Sequence, residues 1–323
     1  MFARLFPDRF VLILLVAIAL ASVLPVTGRA AAMAQQVATG AVILLFFLNG
    51  VRLPRAEVVA ALRDVRLLGV ALGFCFAVMP AIGVLLHQAT APLLPPLVAL
   101  GFVYCGILPS TVQSATAATG MAGGDVAASV VLAALLNLVG VLVSPALFAV
   151  LGGQVAAISG DAALRILLIL LAPFVAGQMV RRWLKSHVAA HPALVRTLDR
   201  SAIAIAVYVA FSGAVVGGLW GRLSGADLGI IAVGIAVFLA AGYGGAWAVG
   251  GLFSLPQPQC TALLFAGAQK SIAVGAPLAA TLFTPAAAGM VLVVILGYHM
   301  AQLMVAAWIA PVLARRTGSV LVE

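Results

Sequence analysis

A lysine stands in the middle of a long apolar stretch: Lys270 is the only charged residue between Asp227 and Arg315. A lysine at the centre of a membrane helix costs about 2.5–3.5 kcal/mol on insertion scales. A residue kept at such cost is a candidate for function, as a fixed cation, an anion ligand or a group that releases its proton during a cycle. The competing reading is a lysine hydrogen-bonded to backbone carbonyls for folding alone. Helix-weakening and polar residues surround it: Gly267, Gln269, Ser271, Gly275 and Pro277. A second such group follows Pro109 and comprises Ser110, Thr111, Gln113, Ser114, Thr116 and Thr119. Proline and clustered polar side chains in an apolar run predict unwound helix. Its amides are tolerated at membrane depth only against protein or a water-filled cavity. The half-helix N-termini would offer N–H groups to an anion, and the freed carbonyls would suit a cation. Against this stands ordinary packing, since Ser, Thr, Gly and Ala also let membrane helices approach closely.

Other polar residues are scattered. His299, Tyr298 and Gln302 share one apolar segment and Asn137 lies in another, where a hydrogen-bonded structural role competes with a relay. No carboxylate is expected at the depth of Lys270. Asp125 is the only charge between Arg66 and Asp161, follows Gly123-Gly124 and precedes an apolar helix, so it reads as an N-cap. Cys75, Cys105 and Cys260 lie in apolar stretches without metal-ligand spacing and read as packing thiols. No Walker loop, H-E-x-x-H, G-x-S-x-G or pair of intramembrane aspartates is present, which argues against ATP drive and against these enzyme classes.

The elements that must position these residues follow from composition. Of 323 residues, 65% are hydrophobic and 8% charged, with mean hydropathy +1.25. A soluble domain carries about 25% charged residues, so the chain is expected to be one all-α membrane domain. The net charge of +9 reads as loop orientation signals rather than as a nucleic-acid surface. Ten apolar segments are expected, at 10–27, 31–53, 67–87, 92–120, 126–151, 162–182, 199–220, 228–252, 257–283 and 286–313. The first resembles a secretory signal but lacks a clear cleavage site and is expected to remain as a helix. With both termini in the cytoplasm, Arg29, Arg165 and Arg222 fall outside. Lys270 lies within the membrane, and the other thirteen of the 17 basic residues fall inside. Five segments would then precede residue 155 and five follow it in the opposite orientation. That is the plan of inverted-repeat transporters, with the interrupted segments 4 and 9 in corresponding places. Weak internal similarity agrees: VLVSPALFAVL with Pro145 resembles VAAWIAPVLA with Pro311, and VVLAALL resembles VLVVILG.

The run LPSTVQSATAATGMAGGDVAASVVLAALLNLVGVLVSPAL, with FFLNGVRL before it and AGAQKSIAVGAPLAATLF after it, resembles the bile acid:sodium symporter family. It is most similar to the bacterial branch that includes relatives of the vertebrate solute carrier family 10 member 7. The resemblance covers essentially the whole chain. It implies ten transmembrane helices in two inverted five-helix repeats, about 1–155 and 156–323. Helices 4 and 9 would be broken and crossing, with a panel of helices 1, 2, 6 and 7 facing a core of helices 3–5 and 8–10. It also implies transport of organic anions with sodium and no other cofactor. The crossing loop of helix 4 matches Gln113, Ser114, Ala115 and Thr116. The sodium-ligand serine of helix 5 matches Ser129, with Asp125 where the symporters carry asparagine. The glutamine of a helix 9 E-x-x-x-Q pattern matches Gln269, so Ser129 and Gln269 are the candidate sodium ligands. The glutamate position holds Phe265, and Lys270 replaces an asparagine, which sets the usual two-sodium site in question.

The expectation is a secondary transporter of a small organic anion in the bacterial inner membrane, working by alternating access. Coupling could be to sodium, to protons, or absent. Its substrate or ion site would use Ser110, Thr111, Gln113, Ser114, Thr116, Ser129, Gln269, Lys270, Ser271 and His299. The partners are a small-molecule solute and the lipid bilayer, with no nucleic acid. Alternatives are a cation/proton antiporter, for which intramembrane carboxylates are lacking; a retinal photoreceptor built on Lys270, for which a buried counter-ion is lacking; and a membrane sensor that carries no solute.

Overall fold

The computed structural model describes residues 9–52, 64–152 and 167–316, and among them every regular element is helical. The helices are α1 (Arg9–Val23), α2 (Gly28–Arg52), α3 (Val65–Thr90), α4a (Pro96–Ile107), α4b (Gln113–Met121), α5 (Val126–Leu151), α6 (Ala172–Ala190, entered through a π-turn at Leu167–Leu171), α7 (Pro192–Val216), α8 (Gly225–Leu252), α9a (Gln257–Ala268), α9b (Ile272–Leu282) and α10 (Pro285–Arg316), with a single helical turn, Leu219–Arg222, between α7 and α8. Among the described residues, seven stretches are long and apolar enough to cross a membrane: α2, α3, α5, α7, α8, the pair α9a–α9b, and α10. α1 and α4a are apolar but shorter. The expected start of the sixth segment at residue 162 and the join of the halves near residue 155 lie outside the described residues. So do Arg4, Arg55, Arg63 and Arg165.

Local chemistry sets several boundaries. Asp125 caps α5 by accepting from the Ala128 N–H at 2.9 Å. Asp64 does the same for α3 through the Leu67 N–H at 3.0 Å. Ser224 and Asp227 form a reciprocal capping box at the start of α8. Proline opens α4a, α6, α7 and α9a, where its missing N–H costs nothing. Two helices run further than the apolar pattern predicts. α6 continues past Arg181, Arg182 and Lys185 to Ala190, and α7 begins at Pro192, one turn and more ahead of the expected residue 199. Hydropathy marks only what lies in hydrocarbon, whereas helical hydrogen bonding continues until a proline or cap ends it.

Two groups of helices emerge from the packing. α2 packs against α6 and α7, and α7 against α1. In the other group α4a packs against α3 and α10, α9a against α8 and α5, and α9b against α10. The α2–α6 contact is a backbone approach: a Cβ on Gly50 would overlap the Phe174 carbonyl, and one on Gly177 the Phe47 carbonyl. The Gln178 side chain donates to the Gly50 carbonyl across it. α7 joins the two groups by a similar seam with α10, where a Cβ on Gly289 would lie 2.5 Å from both the Ala210 oxygen and the Ala214 Cβ. Along the chain α2, α3, α4a and α4b are followed, at a spacing of roughly 160 residues, by α7, α8, α9a and α9b.

Candidate functional site

Leu108–Val112 and Gln269–Ser271 are not helical, and the two breaks meet. The Ser271 N–H donates to the Pro109 carbonyl at 2.9 Å. Gln269 Oε1 accepts from the Thr111 hydroxyl at 2.6 Å and the Ser114 hydroxyl at 2.7 Å. The break in α9 is narrower than its polar composition predicts. Gly275 and Pro277 lie inside α9b rather than at the break. A Cβ at Gly275 would lie 2.6 Å from the end of the Leu108 side chain of the opposite break, so a larger residue there would push that side chain aside.

An unwound segment must place each freed backbone group. Here side chains from neighbouring helices take them one by one. Ser144 of α5 donates to the Ile107 carbonyl at 2.7 Å and Asn137 to the Ser110 carbonyl at 2.7 Å. The Tyr298 hydroxyl donates to the Ala268 carbonyl at 2.7 Å. Gln302 of α10 clamps the backbone of Lys270, its Oε1 accepting from the N–H at 2.7 Å and its Nε2 donating to the carbonyl at 3.0 Å. The Lys270 side chain is fully buried. Its ammonium donates to the Leu108 carbonyl at 2.8 Å and the Gly106 carbonyl at 3.0 Å, with the Cys75 carbonyl at 3.4 Å. Cys75 lies in a π-turn of α3, Phe74–Val78, and such turns re-aim a carbonyl out of the regular ladder.

Beside the crossing lies a cavity of about 440 Å³, within the range that holds a small molecule. The N-terminal turns of both half-helices reach it, α4b through Gln113 and Ser114 and α9b through Ser271–Val274. No side chain caps the first turn of α4b. Phe10, Leu45, Phe46 and Phe174 supply apolar walls, and Arg52, Arg196, Arg200, Asp199 and His299 supply titratable groups. Arg52 and Asp199 pair at 2.7 Å, so the cavity rim carries three guanidiniums against one carboxylate. Residues of both α2 and α5 line it, and α7 packs against α10.

The amino-acid sequence from residue 8 to residue 315 matches the SBF-like CPA transporter family. The chain belongs to this family. It is 35% identical over 315 residues to "Uncharacterized protein PA2026" of Pseudomonas aeruginosa, covering 97% of this chain and 95% of that one. It is 36% identical over 315 residues to "Putative symporter YfeH" of Escherichia coli K12, covering 96% and 92%. The motif resemblance to the bile acid:sodium symporters thus holds at the level of the family, and this SBF-like CPA transporter is a multi-span membrane protein.

Of the residues singled out in the sequence, the SBF-like CPA transporter brings Thr111, Gln113, Ser114, Ser271 and His299 to the cavity wall. Gln269 lies behind Thr111 and Ser114, also bonded to the Tyr243 hydroxyl at 3.4 Å. Lys270 does not line the cavity, and its ammonium faces α4a and α3 instead. Ser110 is buried, its carbonyl held by Asn137. Ser129 is fully buried and accepts from Thr119 at 3.1 Å, while Gln269 serves other partners, so no hydrogen bond joins these two. Thr116 Oγ1 is buried without a hydrogen-bond partner among the described residues. Arg52, Arg196 and Arg200 were legible only as orientation charges. Asp199 sat at the predicted edge of a segment, so its position on a cavity wall carried no signal.

Proposed function

We propose that the protein is a secondary transporter that carries a small organic anion across the bacterial inner membrane by alternating access through this cavity. Ten spans would form two inverted five-helix repeats, with both termini cytoplasmic. α1, α2, α6 and α7 would form the panel, and α3–α5 with α8–α10 the core. One observation carries the reading: two half-helix N-termini and three arginines converge on one partly apolar cavity. The first turn of α4b, which no side chain caps, the helix dipoles and the guanidiniums all favour a carboxylate, sulfonate or phosphate, and the phenylalanine walls favour an apolar body. In α9b the Ser271 hydroxyl already accepts from the Val274 N–H. The arginines belong to the inside of the proposed topology, so the cavity is open towards the cytoplasm and the α7–α10 seam closes it from outside.

The anion site makes a direct prediction. The double variant Arg196→Gln/Arg200→Gln should weaken apparent substrate affinity by about 1.5–3 kcal/mol, roughly ten- to 150-fold, the range for hydrogen bonds to charged groups. Saturation of uptake in proteoliposomes measures it. The substrate itself comes from thermal unfolding of the detergent-solubilised protein against organic anions, with and without sodium and across pH. An anion that binds the folded state raises the midpoint by mass action, and its dependence on sodium or pH names the coupling ion. A screen in which no organic anion stabilises the protein or crosses the liposome membrane would overturn the reading. A cation/proton antiporter is favoured by one observation, the Asp199 carboxylate on the cavity wall. Proton release driven by added sodium or potassium, without any anion, would distinguish it.

A further inference from the structure

The strongest unassigned feature lies outside the cavity. α4a ends at Ile107, and the carbonyls at a helix C-terminus carry partial negative charge with no helical partner. Two of the oxygens there, Gly106 and Leu108, point at one position, together with Cys75 from the π-turn of α3. Three carbonyl oxygens with no carboxylate among them form a site for a hard monovalent cation. That position is occupied by the side chain of a third element. Lys270 Nζ lies 3.0, 2.8 and 3.4 Å from the three oxygens and 3.6 Å from Cys75 Sγ. An ammonium has three N–H donors and one positive charge, so it satisfies all three carbonyls and the local charge at once. The Lys270 backbone is fixed by Gln302 at the same time, which holds the stem in place while the head fills the site.

We propose that the Lys270 ammonium is a tethered monovalent cation, occupying a carbonyl site at the end of α4a that a free alkali cation would otherwise fill. The half-helix junction is then complete in every state of the cycle without sodium from solution at this position. The consequence for flux rests on the transport reading above, but the site does not.

The test is the thermal unfolding of purified wild type, Lys270→Ala and Lys270→Gln in sodium, potassium, ethylammonium and choline chloride. Wild type is expected to unfold at the same temperature in all four salts. Lys270→Ala should lose about 5 °C or more in choline chloride and regain at least half of it in ethylammonium or sodium chloride, because either cation can enter the vacated space. Lys270→Gln keeps two uncharged amide N–H donors and guards against a variant that does not fold. It should show the same salt order with a smaller loss. A wild type stabilised by sodium over choline overturns the proposal, as does a variant equally weakened in every salt. Uptake in proteoliposomes separates the two readings: wild-type uptake should not need sodium, and Lys270→Ala uptake should acquire a need for it. The salt pattern without any uptake would leave the tethered cation standing and remove transport. Uptake without the salt pattern would do the reverse.

Discussion

Oxidation of a Gly217→Cys/Ala286→Cys double variant is expected to abolish uptake almost completely, and a reductant is expected to restore it. A Cβ built on Gly217 lies 3.5 Å from the Ala286 Cβ, at the short end of the roughly 3.5–4.5 Å spanned by disulfides. Gly217 has φ −74°, so a cysteine fits its backbone. The native Cys75, Cys105 and Cys260 are unpaired and buried, which keeps them away from the new bridge. The pair sits at the end of α7 and the start of α10, where Gly213 and Gly289 let the backbones touch. If the solute leaves the cavity on the far side, this seam must part, and a covalent staple forbids it. Each single cysteine variant should transport normally. Undiminished uptake by the oxidised, cross-linked protein would mean that α7 and α10 stay together throughout the cycle.

The second large effect concerns Gln302. Leucine has nearly its volume but can neither accept from the Lys270 N–H nor donate to the Lys270 carbonyl. Both groups are buried, and each one left unsatisfied costs about 1–3 kcal/mol. Gln302→Leu should therefore lower the unfolding temperature by roughly 5–10 °C and reduce uptake in proportion to the loss of the ordered crossing. Gln302→Glu retains the acceptor and loses the donor, so it should fall between the two. A Gln302→Leu protein that unfolds at the wild-type temperature would mean that the clamp contributes nothing to stability.

The reasons these residues differ in legibility are physical. Pro109, the Ser/Thr run after it, and Gln269-Lys270-Ser271 announced two unwound places, because a regular apolar helix in hydrocarbon has little use for a proline beside a cluster of polar groups. The width of each break was not announced. Gly275 and Pro277 look like breakers, but α9b accommodates the single proline within its helix. Asp125 was legible as a cap because capping is local, settled within three residues. Ser144, Tyr298 and Gln302 were present only as isolated polar residues in apolar helices, since what they bond lies on another helix. The π-turn at Phe74–Val78 was marked only by Pro80 just after it, whose missing N–H leaves the Phe76 carbonyl without its helical donor. Arg52, Arg196 and Arg200 were counted for orientation, and a count does not tell which side of a helix a charge occupies.

The carbonyl-to-ammonium contact has a bearing on biogenesis. Leu108 is made 162 residues before Lys270. At about 5–20 residues per second, the ribosome delivers one on the order of 10–30 s ahead of the other. During that interval the helices made before residue 270 sit in the translocon or the lipid without the side chain that later neutralises the end of α4a. α4 must wait as an uninterrupted rod or with water at its kink. Its final shape is imposed afterwards, when the ninth and tenth segments arrive, so a nascent chain stalled upstream of residue 270 cannot attain the mature form of its own fourth helix.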